Sequence, residues 1–110
     1  MKISKELIKG STSMLVMSVL RGKDLYGYKI IKELELCSEN VFELKEGTLY
    51  PILHALEQEG FLESYWEEFD GRKRKYYHLT RKGIKQLEDK QKEWKVFSKS
   101  VDKVLGAQFA

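Results

Sequence analysis

Cysteine is all but missing from this chain. Cys37 is the only one, which excludes an intrachain disulfide and fits a reducing compartment. Its place at the end of a helical pattern suggests a buried apolar side chain rather than a nucleophile. Histidine is scarce too, with only His54 and His78. No metal-ligand spacing, phosphate loop or nucleophile elbow surrounds them. The chain is therefore read as a non-enzyme, with no metal and no cofactor expected. No apolar run approaches the roughly 20 residues of a membrane span, and no export signal is visible. A cytoplasmic protein without a membrane partner is expected. Repeats and low-complexity linkers are also lacking.

What is present fits one globular domain: 110 residues, 42% hydrophobic and 34% charged, a balance that argues against disorder. A net charge of +3 and a pI near 8.9 are too mild to identify a partner. The distribution is more telling, because residues 72–82 hold six Lys or Arg and no acid, whereas residues 33–46 hold five acids and one Lys. A positive run of this kind supplies sequence-independent phosphate binding, although a lone Lys/Arg run is more often a solvated loop.

The chain is organised around residues 46–81. Leu49, Ile52, Leu53 and Leu56 recur at i, i+3, i+4 and i+7 and make one apolar helical stripe. The opposite side carries Pro51, His54 and Gln58, with Tyr50 and Ala55 at its margins. Gly60 stands where a left-handed C-cap is usual. Pro51 removes a backbone hydrogen bond if the helix starts at Lys45 or Glu46, so either the helix is irregular there or its regular part begins near Tyr50. Two β-rich runs follow, 61–67 and 73–79, around an Asp70-Gly71 hairpin signal. The turn opens into Arg72, Lys73, Arg74 and Lys75. A helix followed by a hairpin with a basic tip suits a winged helix, with a rod for the major groove and a loop for the flanking backbone.

Upstream, one helix is expected over 5–20 and a second over about 26–36, with Asp24 as its cap. Gly27 costs about 1 kcal/mol relative to Ala in a helix, which implies close approach of another backbone, the first helix or a phosphate. The flanking Tyr26 and Tyr28 can present their hydroxyls outward, one of them to a phosphate. Residues 38–45 read as the turn of a helix-turn-helix, with room for a very short strand that pairs with the hairpin.

Downstream, Thr80 is positioned to cap a last helix. Ile84, Leu87, Gln91, Trp94, Ser98, Val101 and Leu105 follow a three-four alternation, a heptad seam with two polar gaps. About 25 residues span roughly 37 Å, longer than so small a domain can cover. Part of the face, including Phe97 and Val104, therefore needs a partner. A second copy is the economical choice, because twofold dimers are the commonest oligomers and match palindromic DNA. The competing arrangement folds this helix back across the first.

Gly47-Thr48-Leu49-Tyr50-Pro51-Ile52-Leu53, Leu56-Glu57-Gln58-Glu59-Gly60, and Arg74-Lys75-Tyr76-Tyr77-His78-Leu79-Thr80 with Gly83 resemble the PadR family of bacterial transcriptional regulators. Leu25-Tyr26-Gly27-Tyr28 and the C-terminal Trp94 fit the same pattern. The resemblance spans nearly the whole chain. It implies a mainly α fold with a small β-hairpin: a winged helix-turn-helix over 1–80 and a dimerisation helix over 81–110. It further implies a homodimeric repressor of its own or a neighbouring transporter operon, released in some members by a small aromatic or drug-like effector. The single short C-terminal helix is similar to that of the small subfamily containing multidrug-responsive repressors.

On this reading the DNA-facing residues are Tyr26, Lys45, Thr48, Tyr50, Pro51, His54, Gln58, Arg72, Lys73, Arg74 and Lys75, and the partner is double-stranded DNA at a palindromic operator. The dimer face is Ile84, Leu87, Trp94, Phe97, Val101, Val104 and Leu105, and Trp94 could stack an aromatic effector. The chain departs from the family pattern at Lys45, where Ser or Asn is usual, and at His54 and Ala55, where basic residues are usual. The third helix is thus poor in cations and shifts phosphate binding to the wing. The alternative is a winged-helix protein-interaction module that binds no nucleic acid.

Overall fold

Ser4 starts the first helix by accepting a hydrogen bond from the Leu7 amide at 3.4 Å, and in this computed structural model, which describes residues 3–107, that helix ends after five residues. The single helix expected over 5–20 is two: α1 (Lys5–Lys9) and α2 (Thr12–Val19). The reason lies in Ser11 and Thr12, whose hydroxyls both donate to the Ile8 carbonyl, at 3.2 and 3.0 Å. Hydroxyls that satisfy a backbone carbonyl compete with the helical ladder, and the chain turns at Gly10. Only α2 contributes to the core, through Val16 and Met17.

Next come strand β1 (Leu25–Tyr26) and helix α3 (Gly27–Cys37). Asp24 does not cap α3; Tyr26 occupies the N-cap position, without a side-chain cap. Cys37 is exposed rather than buried: it follows Ile30 and Leu34 on the same side of the helix, but as the last residue of α3 it lies outside the core cluster. The following turn contains no strand. Glu39 and Asn40 both take left-handed backbone angles, φ 53° and 67°, which curl the chain back, and the Ser38 hydroxyl accepts from the Phe42 amide at 2.9 Å. The short strand expected there is β1 instead.

Helix α4 (Glu46–Gln58) runs without a break through Pro51, so the irregularity considered for that position does not arise. Leu49, Leu53 and Leu56 are buried. Gly60, at φ +80°, closes the helix as a Schellman cap: its amide reaches the Glu57 carbonyl at 3.0 Å and that of Phe61 reaches Leu56 at 2.9 Å.

Strands β2 (Leu62–Phe69) and β3 (Arg72–Leu79) form the hairpin, joined by Asp70 and Gly71 at φ 54° and 75°. Two positive φ angles define a type I′ turn, whose twist matches that of the strands. β1 pairs antiparallel with the other side of β3, Leu25 opposite Tyr77 and Tyr26 opposite Tyr76, giving the order β1-β3-β2. Along β3 the side chains alternate: Tyr77 and Leu79 go into the core, whereas Tyr76 and His78 face out.

Helix α5 (Arg81–Ala107) is 27 residues long, about 40 Å at 1.5 Å per residue. Thr80 caps it by accepting from the Gly83 amide at 3.0 Å. Only its first turns join the core. Leu87 is fully buried, which corrects the expectation that it lies on a dimer face, and Ile84, partly buried, packs against the same cluster. The remainder projects, and the molecule measures 61 × 30 × 21 Å, with a radius of gyration of 15.9 Å against about 13 Å for a compact chain of this length. The result is a winged helix-turn-helix with a protruding C-terminal arm.

Candidate nucleic-acid interface

The polar face of α4 lies open. Thr48, Pro51, His54 and Gln58 are exposed, as is Lys45 just ahead of the helix. Tyr50 is different, since its phenol rests on Gly27: a Cβ built there would lie 2.9 Å from the tyrosine oxygen and 3.2 Å from Cζ. The close approach foreseen at Gly27 therefore comes, within the chain, from a side chain of α4 rather than from the first helix. The pairing fixes the start of α3 against α4 and leaves Tyr50 39% exposed, its remaining surface turned toward solvent.

Facing α4 across an open cleft of about 610 Å³ is the wing. The cleft brings together Tyr26, Tyr50, His54, Arg72, Lys73, Arg74 and Lys75. Lys45, Thr48, Pro51 and Gln58 lie outside it. Tyr28, the other tyrosine flanking Gly27, also lines it, as does Trp66, which was not among the expected contacts. Trp66 could have been found by parity: it lies four residues beyond buried Leu62 on β2 and therefore on the same side of the strand, past the point where the core ends.

The four wing cations are not equivalent. Arg72 and Lys73 are exposed, whereas Arg74 and Lys75 are half-buried. Lys75 Nζ lies 3.9 Å from Glu57 Oε1, so part of its charge is already answered from α4. Arg74 sets its guanidinium carbon 4.4 Å from the centre of the Tyr26 ring. The strand register also places Glu67 opposite Arg74 and Glu68 opposite Lys73. Residues 62–79 carry Glu63, Glu67, Glu68 and Asp70 beside the four cations, so the wing as a whole is charge-balanced. Counting from residue 72 onward hid these acids, because the hairpin brings them alongside from the preceding strand.

On the outward face of the sheet, Asp24 Oδ2 accepts from the Tyr65 hydroxyl at 2.7 Å, and its Oδ1 lies 2.8 Å from His78 Nδ1. Asp24 thus ties the start of β1 to both other strands. Tyr77, on the inward face, has its hydroxyl pushed up by burial, with Glu57 and Tyr50 adding to the effect.

Along α5, Trp94 (46%), Phe97 (58%), Val101 (38%), Val104 (66%) and Leu105 (53%) are exposed, with the Trp94 and Phe97 rings 6.0 Å apart. Val96 is also open, at 68%, and was not among the expected seam residues. Among the described residues no His, Cys, Asp and Glu gather closely enough to hold a metal ion, and no helix is long and apolar enough to cross a membrane.

The profile of the transcriptional regulator PadR-like family matches residues 16–89, from α2 through the wing and into α5. A transcriptional regulator from Clostridium thermocellum has a similar structure, with a TM-score of 0.84 at 33% identity, covering 90% of this chain and 97% of its own. A PadR family transcriptional regulator from Eggerthella lenta gives 0.80 at 36% identity, covering 91% and 86%. A transcriptional regulator of Mycobacterium tuberculosis is 28% identical over 104 residues, 94% of this chain and 92% of that protein. Profile, fold and a cleft built from a helix-turn-helix and its wing agree: this chain belongs to the PadR-like family of transcriptional regulators.

Proposed function

We propose that this protein is a homodimeric, sequence-specific DNA-binding repressor whose α4 enters the major groove while the wing grips the flanking backbone. The observation that carries the reading is the cleft in which Tyr26, Tyr50, His54 and the wing cations converge beside the open polar face of α4. Groove-facing Tyr50, His54 and Gln58 would select sequence, and Lys45, Thr48, Pro51 and the wing would set register on the phosphates. The exposed Trp94, Phe97, Val101, Val104 and Leu105 would meet a second copy, which fits a palindromic operator. Trp94, half-open beside Phe97, would stack a planar aromatic effector that releases the operator.

Electrophoretic mobility shifts on duplex from the protein's own promoter test this reading. Replacing Arg72, Lys73 and Arg74 by Ala should weaken binding to every duplex and flatten the salt dependence by roughly 0.9 per lost phosphate contact. Changing the side chain of Tyr50 or His54 should instead alter sequence preference. The charge-balanced wing favours a second reading, a protein-interaction module; indifference to duplex DNA at low salt would establish that one and end the first.

A further inference from the structure

Two wing cations lie over rings, Lys75 with Nζ 5.6 Å from the centre of Tyr77 and Arg74 closer in, over Tyr26; only Arg74 offers a planar fork there. Register puts Tyr26, Tyr76 and Tyr65 side by side across the three strands. Tyr26 meets Tyr76 edge-on at 5.6 Å between centroids, and Tyr76 stacks on Tyr65 at 5.7 Å with planes 14° apart. Tyr65 is fixed in turn by its bond to Asp24. The row of rings is therefore braced, and at its cleft end the Arg74 guanidinium lies over Tyr26 at 4.4 Å, well inside the roughly 6 Å reach of a cation–π contact. Arg72 and Lys73 are exposed.

We infer that Tyr26 is a positioning residue: its ring face holds the Arg74 guanidinium flat at the cleft rim as a preformed fork for one phosphodiester of the bound duplex. The ring does this, and the phenol hydroxyl does not take part. Stacking uses one face of the guanidinium and leaves its in-plane N–H groups free for a bidentate contact, which a lysine at 74 could not reproduce. A fork ordered before binding loses less freedom when the phosphate arrives. The inference rests on the DNA-binding reading above and replaces the hydroxyl-to-phosphate role expected of Tyr26.

Tyr26→Leu keeps an apolar side chain but removes the π face, Tyr26→Phe keeps the face, and Arg74→Ala removes the cation; thermal melts check that each folds. On the promoter duplex, Tyr26→Leu should weaken binding roughly three- to tenfold while leaving the salt slope intact, since the charge stays. Arg74→Ala should lower affinity at least as far and reduce the slope by about one. The double variant should be no weaker than Arg74→Ala alone, and Tyr26→Phe should recover most of the loss. Additive effects, or a Tyr26→Phe as weak as Tyr26→Leu, would overturn the inference. A second measurement needs no DNA: the Arg74 side-chain Nε–H resonance should be ring-current shifted in the free protein and in Tyr26→Phe, and unshifted in Tyr26→Leu. A parent that binds duplex with an unshifted Arg74 signal overturns this inference alone, whereas a shifted signal in a parent that ignores duplex overturns the functional reading instead.

Discussion

Gly83 sits where no larger residue fits. A Cβ there would lie 2.2 Å from the Phe61 carbonyl oxygen and 2.6 Å from Leu79 Cδ1, and a carbonyl fixed in a turn cannot step aside. Gly83→Ala should cost about 3 kcal/mol or more, lowering the melting midpoint by about 13 °C or more, or preventing folding. Gly106 is a useful contrast, helical with nothing within 4 Å of a new Cβ; Gly106→Ala should be neutral or stabilise by up to about 1 kcal/mol. Asp24 offers a test by pH. Burial alone would raise its pKa, but the hydrogen bonds from His78 and Tyr65, with the charge of His78, hold it below the usual 3.8. The same carboxylate pushes the Tyr65 hydroxyl up to about 12, so that hydroxyl remains a donor throughout the neutral range. With its folded-state pKa below the unfolded one, Asp24 contributes fully above about pH 4 and loses its contribution as pH falls through the lowered value. Thermal melts of Asp24→Asn should therefore give a lower midpoint than the parent at neutral pH, with the gap closing in acid. None of this was legible in the sequence, where Asp24 looked like a cap. Its partners Tyr65 and His78 lie 41 and 54 residues away, and only the sheet register unites them.

Elements were more legible than residues. The apolar stripe of α4, its Gly60 terminus, the Asp70-Gly71 turn and the Thr80 cap all follow from local chemistry, and the structure has each of them. Errors arose where long-range pairing or hydroxyl competition decides: the break at Gly10, and the short strand that pairs as Leu25–Tyr26 rather than in the turn after α3. The charge of the wing belongs to the same class. Read linearly, residues 72–75 form a cationic run; folded, Arg74 and Lys73 face Glu67 and Glu68. Converting those two carboxylates to glutamine should tighten duplex binding at low salt, on the order of threefold per charge for a phosphate some 7 Å away in water. The gain should fade as salt is raised, and titrations at several salt concentrations would show it. An unchanged affinity at low salt would mean that β2 stays clear of the backbone.

At the scale of the whole molecule, α5 divides into two parts with different fates. Leu87 is wholly buried and Val101 is 38% exposed, although the heptad pattern treats them alike. The sequence could show that the helix outruns its own domain but not where the core lets go, because that depends on the reach of α2 and β3 rather than on α5. Leu87→Ala should cost about 2–5 kcal/mol of fold stability. If the proposed dimer forms through this face, Val101→Asp should leave the circular dichroism of the domain intact and drive the protein to a monomer in sedimentation, with a larger loss of affinity for a two-half-site duplex than for a single half-site. A Val101→Asp protein that stays dimeric would place the interface elsewhere.

The meeting of wing and arm leaves no slack. The Thr80 hydroxyl lies 2.7 Å from the Gly60 carbonyl oxygen, Lys82 Nζ lies 2.7 Å from that of Glu59, and Gly83 is wedged against Phe61. The helix that would read the groove and the helix that would clasp a twin are thus bolted together like the jaw and beam of a calliper. In such an instrument the gap between two jaws is set where the beams cross, so a nudge at the far end of the tail would be felt as a change in the span of DNA the pair can straddle.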